Sequence, residues 1–172
     1  MNTVNNVDPV KALKARLPAG VQDVLERSAA RTYVSIDPAV VKDAAAFVFG
    51  ELGARLIIIT ALETRAGMEI LYHFSFDRLG RIVTLRAVVP MPEPQIDSIT
   101  PIVGGAEYIE REIMDLFGVK FVGHPNPVRF LLADDWPDGV YPYRKEYHGQ
   151  YPYRTEEQLQ QVRDDIRRKG TK

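Results

Sequence analysis

The chain has 172 residues, 45% of them hydrophobic and 26% charged, with a formal net charge of −1. That length favours one domain burying roughly 70% of its unfolded surface, and the near-neutral charge gives no whole-molecule pull toward nucleic acid or anionic lipid. There are no cysteines, which excludes disulfides, thiolate nucleophiles, zinc–thiolate sites and any cluster held by the chain's own thiolates.

The opening segment MNTVNNVDPVKALKARL is polar and lacks a continuous apolar run, so no signal peptide is expected there. The longest apolar stretch, around Leu56 to Ile59, falls far short of the roughly 18 residues of a spanning helix. Membrane association is therefore expected to be indirect. Residues 8–17 and 20–30 read as two short helices, with Leu13 and Leu17 one turn apart. Tyr33 to Ile36 reads as a strand ending at Asp37-Pro38, with Asp37 as N-cap and Pro38 preset for the first helical position. Val41, Ala44, Ala45, Val48 and Leu52 then follow helical spacing, and Gly53 is a natural stop.

Three strands follow. Residues 54–62 are apolar on both faces, which predicts a central, buried strand. In 68–76, Met68, Ile70, Tyr72, Phe74 and Phe76 alternate with Glu69, Leu71, His73 and Ser75; residues 82–89 alternate as well. The links at 63–67 and 77–80 are hairpin-sized and end in glycine, so these strands should be antiparallel neighbours. The result is an α+β fold, a β-α-β-β-β sheet with helices on one face. Prolines 90, 92 and 94 end the sheet. A helix is expected from Ser98–Pro101, interrupted at Gly104-Gly105 and resuming to Phe117. Beyond it the chain reads as an extended strap, closed by a short helix that starts at the capping box Thr155-Glu156-Glu157-Gln158. Two regions result: a docking domain over 1–118 and a partner-binding tail with a terminal helix over 119–172.

On the helix ending at Phe117, Ile109, Ile113, Leu116 and Phe117 form the stripe expected to face the sheet. Glu107, Arg111 and Asp115 stack one turn apart with alternating sign, which reads as a solvated, ion-paired face. Glu110, Glu112 and His124 could instead serve a small acid–base enzyme. A lone turn histidine, however, is more often bonded to backbone, and His73, His124 and His148 sit on separate elements. No phosphate loop, nucleophile elbow or metal-binding helix pattern is present. Tyr-Pro-Tyr-Arg occurs at 141–144 and again at 151–154. Aromatics beside basic residues can stack on single-stranded nucleic acid, but with so little positive charge an anchoring role at a protein interface is favoured, and no nucleic acid is expected.

The ordered set Glu110-Arg111-Glu112, Asp115-Leu116-Phe117-Gly118, Gly123-His124-Pro125, Arg129 and Pro142-Tyr143-Arg144-Lys145-Glu146-Tyr147 resembles the thirty-kilodalton subunit family of respiratory complex I, an NADH dehydrogenase. The related subunits of energy-converting nickel–iron hydrogenases share it. The resemblance implies a non-catalytic subunit of a cytoplasmic peripheral arm, docked on a hydrogenase-like large subunit. It would carry no cofactor of its own; iron–sulfur clusters, and nickel–iron or quinone sites, would belong to partners. The implied partner-binding residues are Glu110, Arg111, Asp115, His124, Arg129, Trp136, Tyr143, Arg144 and Lys145. The segment Asp134-Asp135-Trp136-Pro137-Asp138-Gly139 looks more like the hydrogenase and formate-hydrogenlyase branch than the quinone-reducing one.

Overall fold

The computed structural model describes residues 7–147 and residue 160. Helix α1 (Pro9–Arg16) starts at Asp8, whose carboxylate accepts from the amides of Val10 and Lys11. Strands β1 (Val21–Ser28) and β2 (Arg31–Ile36) form a hairpin. Asp37 then caps the turn that leads into α2 (Val41–Ala45), which continues as wider π-type turns over Ala46–Glu51. Strands β3 (Arg55–Glu63), β4 (Met68–Phe76) and β5 (Arg81–Val89) follow as two further hairpins.

The large sheet has the order β1-β2-β5-β4-β3, with β2 and β5 parallel and every other pair antiparallel. One face carries Val34, Ile36, Val83, Leu85, Met68, Ile70, Tyr72 and Phe74, which pack with Leu13, Val41, Ala44, Val48 and Ile113 from the helices into one core. Period-two alternation on β4 and β5 is what places these side chains together on one face. The chain then builds a small parallel pair from β6 (Gln95–Asp97) and β7 (Lys120–Val122), with α3 (Glu107–Phe117) as the connection between them. Ile96 and Phe121 face each other in that pair and both enter the core.

The α+β class holds, and three details differ from the sequence reading. Residues 21–28 form a strand and not a helix: Val21, Val24 and Leu25 mimic helical spacing, but pairing with the β-rich segment β2 overrides so weak a local preference. Strand β3 lies at the sheet edge and not its centre, which leaves Ile57, Ile58 and Leu62 more than 40% exposed. Residues 98–101 form a turn, because Ser98 and Thr100 turn their hydroxyls to Glu110. Just past residue 118, Val119 and Phe121 are buried in the core. The terminal helix, His148 and the second Tyr-Pro-Tyr-Arg lie outside the described residues, apart from Gln160.

Gly118 ends α3 in the left-handed conformation, φ 67°, and a Cβ there would sit 2.3 Å from the Tyr141 ring. Both constraints act against any side chain. Gly118→Ala is expected to lower unfolding free energy by about 2 kcal/mol in denaturant titration; a change within about 0.5 kcal/mol would show that the Tyr141 ring yields freely.

Candidate docking surface

Residues 123–147, after β7, have no helix or strand to satisfy their backbone, so those groups need side-chain partners. Helix α3 supplies most of them. Arg111 donates from Nε to the Val128 carbonyl at 2.9 Å and from Nη2 to the Arg129 carbonyl at 3.1 Å. One turn later, Asp115 Oδ2 accepts from the consecutive amides of Phe130, Leu131 and Leu132 at 2.8, 2.7 and 3.1 Å. Both side chains are buried. The solvated, ion-paired ladder of Glu107, Arg111 and Asp115 is therefore corrected: Arg111 and Asp115 spend their polarity on the strap rather than on each other.

Glu110 points the other way, into the protein, and is fully buried. Its carboxylate accepts from Ser98 Oγ at 2.5 Å, the Ile99 amide at 2.8 Å and Thr100 Oγ1 at 2.9 Å. Burial pushes its pKa above the ordinary value, while the hydrogen bonds from Ser98, Ile99 and Thr100, and the nearby His124, oppose that shift. His124 is buried too, with Nε2 3.9 Å from Glu110 Oε2. Its Nδ1 accepts from the Asn126 amide at 3.1 Å, so Nε2 carries the hydrogen and donates it to the Glu107 carbonyl, also at 3.1 Å. This is the backbone-bonded turn histidine of the sequence reading, and the bond ties the Gly-His-Pro corner to the start of α3.

The loop beyond is folded by two further side chains. Arg129 Nη1 donates to the carbonyls of Ala133, Asp134 and Trp136, and Nη2 meets Asp138 Oδ1 at 3.1 Å. Trp136 is buried and donates Nε1–H to the Val140 carbonyl at 2.7 Å. The strap then returns to the C-terminal end of α3. The Tyr143 amide donates to the Leu116 carbonyl, and Arg144 Nε donates to the Phe117 carbonyl at 2.7 Å while stacking 4.6 Å from the centre of the Tyr141 ring. The Lys145 amide reaches Glu63 Oε2 at the end of β3.

Of the nine residues singled out in sequence, Glu110, Arg111, Asp115, His124, Trp136 and Arg144 are buried, and Arg129 is half-buried. Only Tyr143, at 63%, and Lys145 are exposed. Sequence reasoning passed over the outward side chains: Tyr108, Val122, Val128, Phe130 and Leu131, each between 42% and 57% exposed. The apolar run at Val128 to Leu132 within an otherwise polar tail was the available signal. For acid–base chemistry the arrangement is poor. Glu110 and His124 have no solvent-accessible side-chain surface, Glu112 is exposed, and the grooves beside the strap are lined by other residues. Among the described residues no group of three or more histidine and carboxylate side chains is placed to hold a metal ion. No described helix is long and apolar enough to cross a membrane.

Residues 34–153 match the family model for the respiratory-chain NADH dehydrogenase, 30 Kd subunit. The C subunit of NADH-quinone oxidoreductase from Nocardioides sp. is 39% identical over 49% of this chain and 33% of its own length. Formate hydrogenlyase subunit 5 of Escherichia coli is 44% identical over 37% of this chain and 11% of its own. The match thus spans a third or less of those relatives. The C subunit of F(420)H(2) dehydrogenase from Methanosarcina mazei is 27% identical over 87% of this chain and 96% of its own. In fold, the chain is similar to a chain in the structure of the membrane-bound sulfane sulfur reductase, an archaeal respiratory membrane complex. That similarity has a TM-score of 0.71 and 23% identity over 92% of this chain and 89% of the other. It is also similar to the trypsin-resistant fragment (1-134) of Nqo5, with a TM-score of 0.58 and 23% identity over 69% of this chain and 99% of the fragment.

Two outcomes follow from this geometry. Asp115→Ala strips three backbone amides of their acceptor and is expected to cost about 3 kcal/mol. Limited proteolysis should then cut within 128–140 while β4 and β5 stay protected; unchanged cleavage would mean that the strap does not depend on the carboxylate. Glu110 has a raised folded pKa, so its stabilising contribution is present below the unfolded value and is lost as pH rises through the folded one. Glu110→Gln lacks that loss. Its stability relative to the parent should therefore rise as pH climbs above the ordinary glutamate range. A difference that is flat or falls with pH would contradict the assigned direction.

Proposed function

The chain belongs to the respiratory-chain NADH dehydrogenase 30 Kd subunit family, and we propose that it is a non-catalytic assembly subunit in the peripheral arm of a complex I-like membrane oxidoreductase. In this reading it docks on the hydrogenase-like large subunit, on the cytoplasmic side of the membrane, and reaches the bilayer only through other subunits. Iron–sulfur clusters and the nickel–iron or quinone site belong to those partners. Arg129, Arg144, Trp136 and His124 act by shaping the strap, and Tyr143 and Lys145 meet the partner directly.

The observation that carries the reading is the row of outward apolar side chains on a strap whose backbone is tied to α3. Tyr108, Val128, Phe130 and Leu131 stand exposed over buried Arg111 and Asp115. Their ordering cost is met before any partner arrives, which is the condition under which an interface gains affinity from apolar contact. Within the reading, the loop Asp134 to Gly139 favours the hydrogenase branch over the NADH:quinone branch.

The test is purification of the intact complex from native membranes through a tag on this chain, with parent and Phe130→Asp compared. The parent is expected to retain a large subunit with iron–sulfur and membrane partners, whose identity decides the branch. Phe130→Asp should lose most of that material while the isolated variant stays folded, as its circular dichroism would show. A parent chain recovered alone under gentle salt would overturn the scaffold role.

A further inference from the structure

Arg111 is 8% exposed, yet it forms no ion pair with a carboxylate among the described residues. Its hydrogen bonds run from Nε and Nη2 to two carbonyls, and Nη1 bonds to no described residue. Nor is Nη1 among the fully enclosed polar atoms left without a partner, so it keeps an outlet to the surface. The guanidinium itself lies against two aromatic rings. The guanidinium carbon is 5.5 Å from the centre of the Tyr108 ring and 5.0 Å from that of Phe130, and the two rings stand 5.3 Å apart.

Carbonyl dipoles and ring faces solvate a cation but do not neutralise it, and buried charges in proteins are normally paired. The net result is a guanidinium edge that no carboxylate bonds among the described residues, set beneath an exposed apolar patch. From this charge complementarity we infer that Arg111 is a receptor for one carboxylate side chain of the large partner. The carboxylate meets Nη1 beside the paired rings of Tyr108 and Phe130, with apolar neighbours seated on Val128 and Leu131. The inference rests on the docking role proposed above and adds the chemistry that the partner must present. Once the rings and the partner exclude water, the pair gains strength and the planar fork selects a carboxylate by geometry. Arg and aromatic side chains grouped under a dry contact are the usual composition of an energetic hot spot.

Because an Arg111 variant would also loosen the strap, the test leaves Arg111 in place. A photoreactive benzophenone side chain replaces Tyr108 in the full chain. The intact complex is purified through a tag and irradiated, and the cross-linked peptide is sequenced. The expected peptide comes from the large partner and contains an aspartate or glutamate whose replacement by alanine raises the dissociation constant by about 30-fold or more. An intact complex whose cross-link falls on a peptide without a carboxylate overturns the inference and leaves the scaffold role standing. So does a cross-link to residues 148–172 of this chain or to a second copy, and so does an acidic peptide whose alanine variant binds unchanged. A chain that purifies with no large subunit overturns both.

Discussion

Two charges of opposite sign one turn apart on α3 hold five consecutive strap residues. Arg111 takes the carbonyls of 128 and 129, and Asp115 takes the amides of 130, 131 and 132. The peptide dipoles between them link cation to anion, so the pair is joined through the backbone of another segment. The helix itself gains nothing from this arrangement. A carboxylate in the last turn opposes the macrodipole by about 0.3–1 kcal/mol, and Asp115 accepts that in exchange for three charge-assisted bonds, each stronger than a neutral one.

The same helix holds the strap a second time at its C-terminal end. The last carbonyls of any α-helix lack internal partners. Here Leu116 and Phe117 give theirs to the Tyr143 amide and to Arg144 Nε, so capping the helix and docking the strap are one set of bonds. Arg144 also brings positive charge to the negative end of the helix. Gly118 completes the arrangement by having no Cβ where the Tyr141 ring lies. The strap is thus fixed at 128–132 and again at 141–144, and the intervening loop is closed by Arg129 and Trp136.

The sheet was largely legible in sequence because its signal is periodic. Strand β4 was read at its observed bounds, since Met68 to Phe76 alternates without a break. The Asp37-Pro38 start before α2 was legible from local chemistry alone. Failures came where tertiary pairing decides. Val21, Val24 and Leu25 fit a helix until β2 is available to pair with. Doubly apolar β3 fits a central strand, and nothing local reveals that no strand lies beyond it. At the site, Arg111 and Asp115 are buried beneath the strap where their spacing reads as a solvated face. A charged residue on an amphipathic helix reads as solvent-facing, because sequence spacing does not reveal that an irregular segment will lie across it. Glu110 is the clearest case: its partners Ser98 and Thr100 are twelve and ten residues away and appear in sequence as a helix start.

Burial of the polar residues and exposure of the apolar ones therefore have one cause. A segment without helix or strand cannot bury its backbone unless side chains replace the missing ladder. Arg111, Asp115, Arg129 and Arg144 all do this, and the space they occupy against α3 is space that apolar side chains of the strap cannot take. Phe130 and Leu131, whose amides face Asp115, are both left outward. Polar satisfaction inside thus produces an ordered apolar surface outside. A strap packed through its own Phe and Leu side chains would have left its amides unpaired and presented no such surface. Beneath that surface the carbonyls of Val128 and Arg129 hold the Arg111 guanidinium in place.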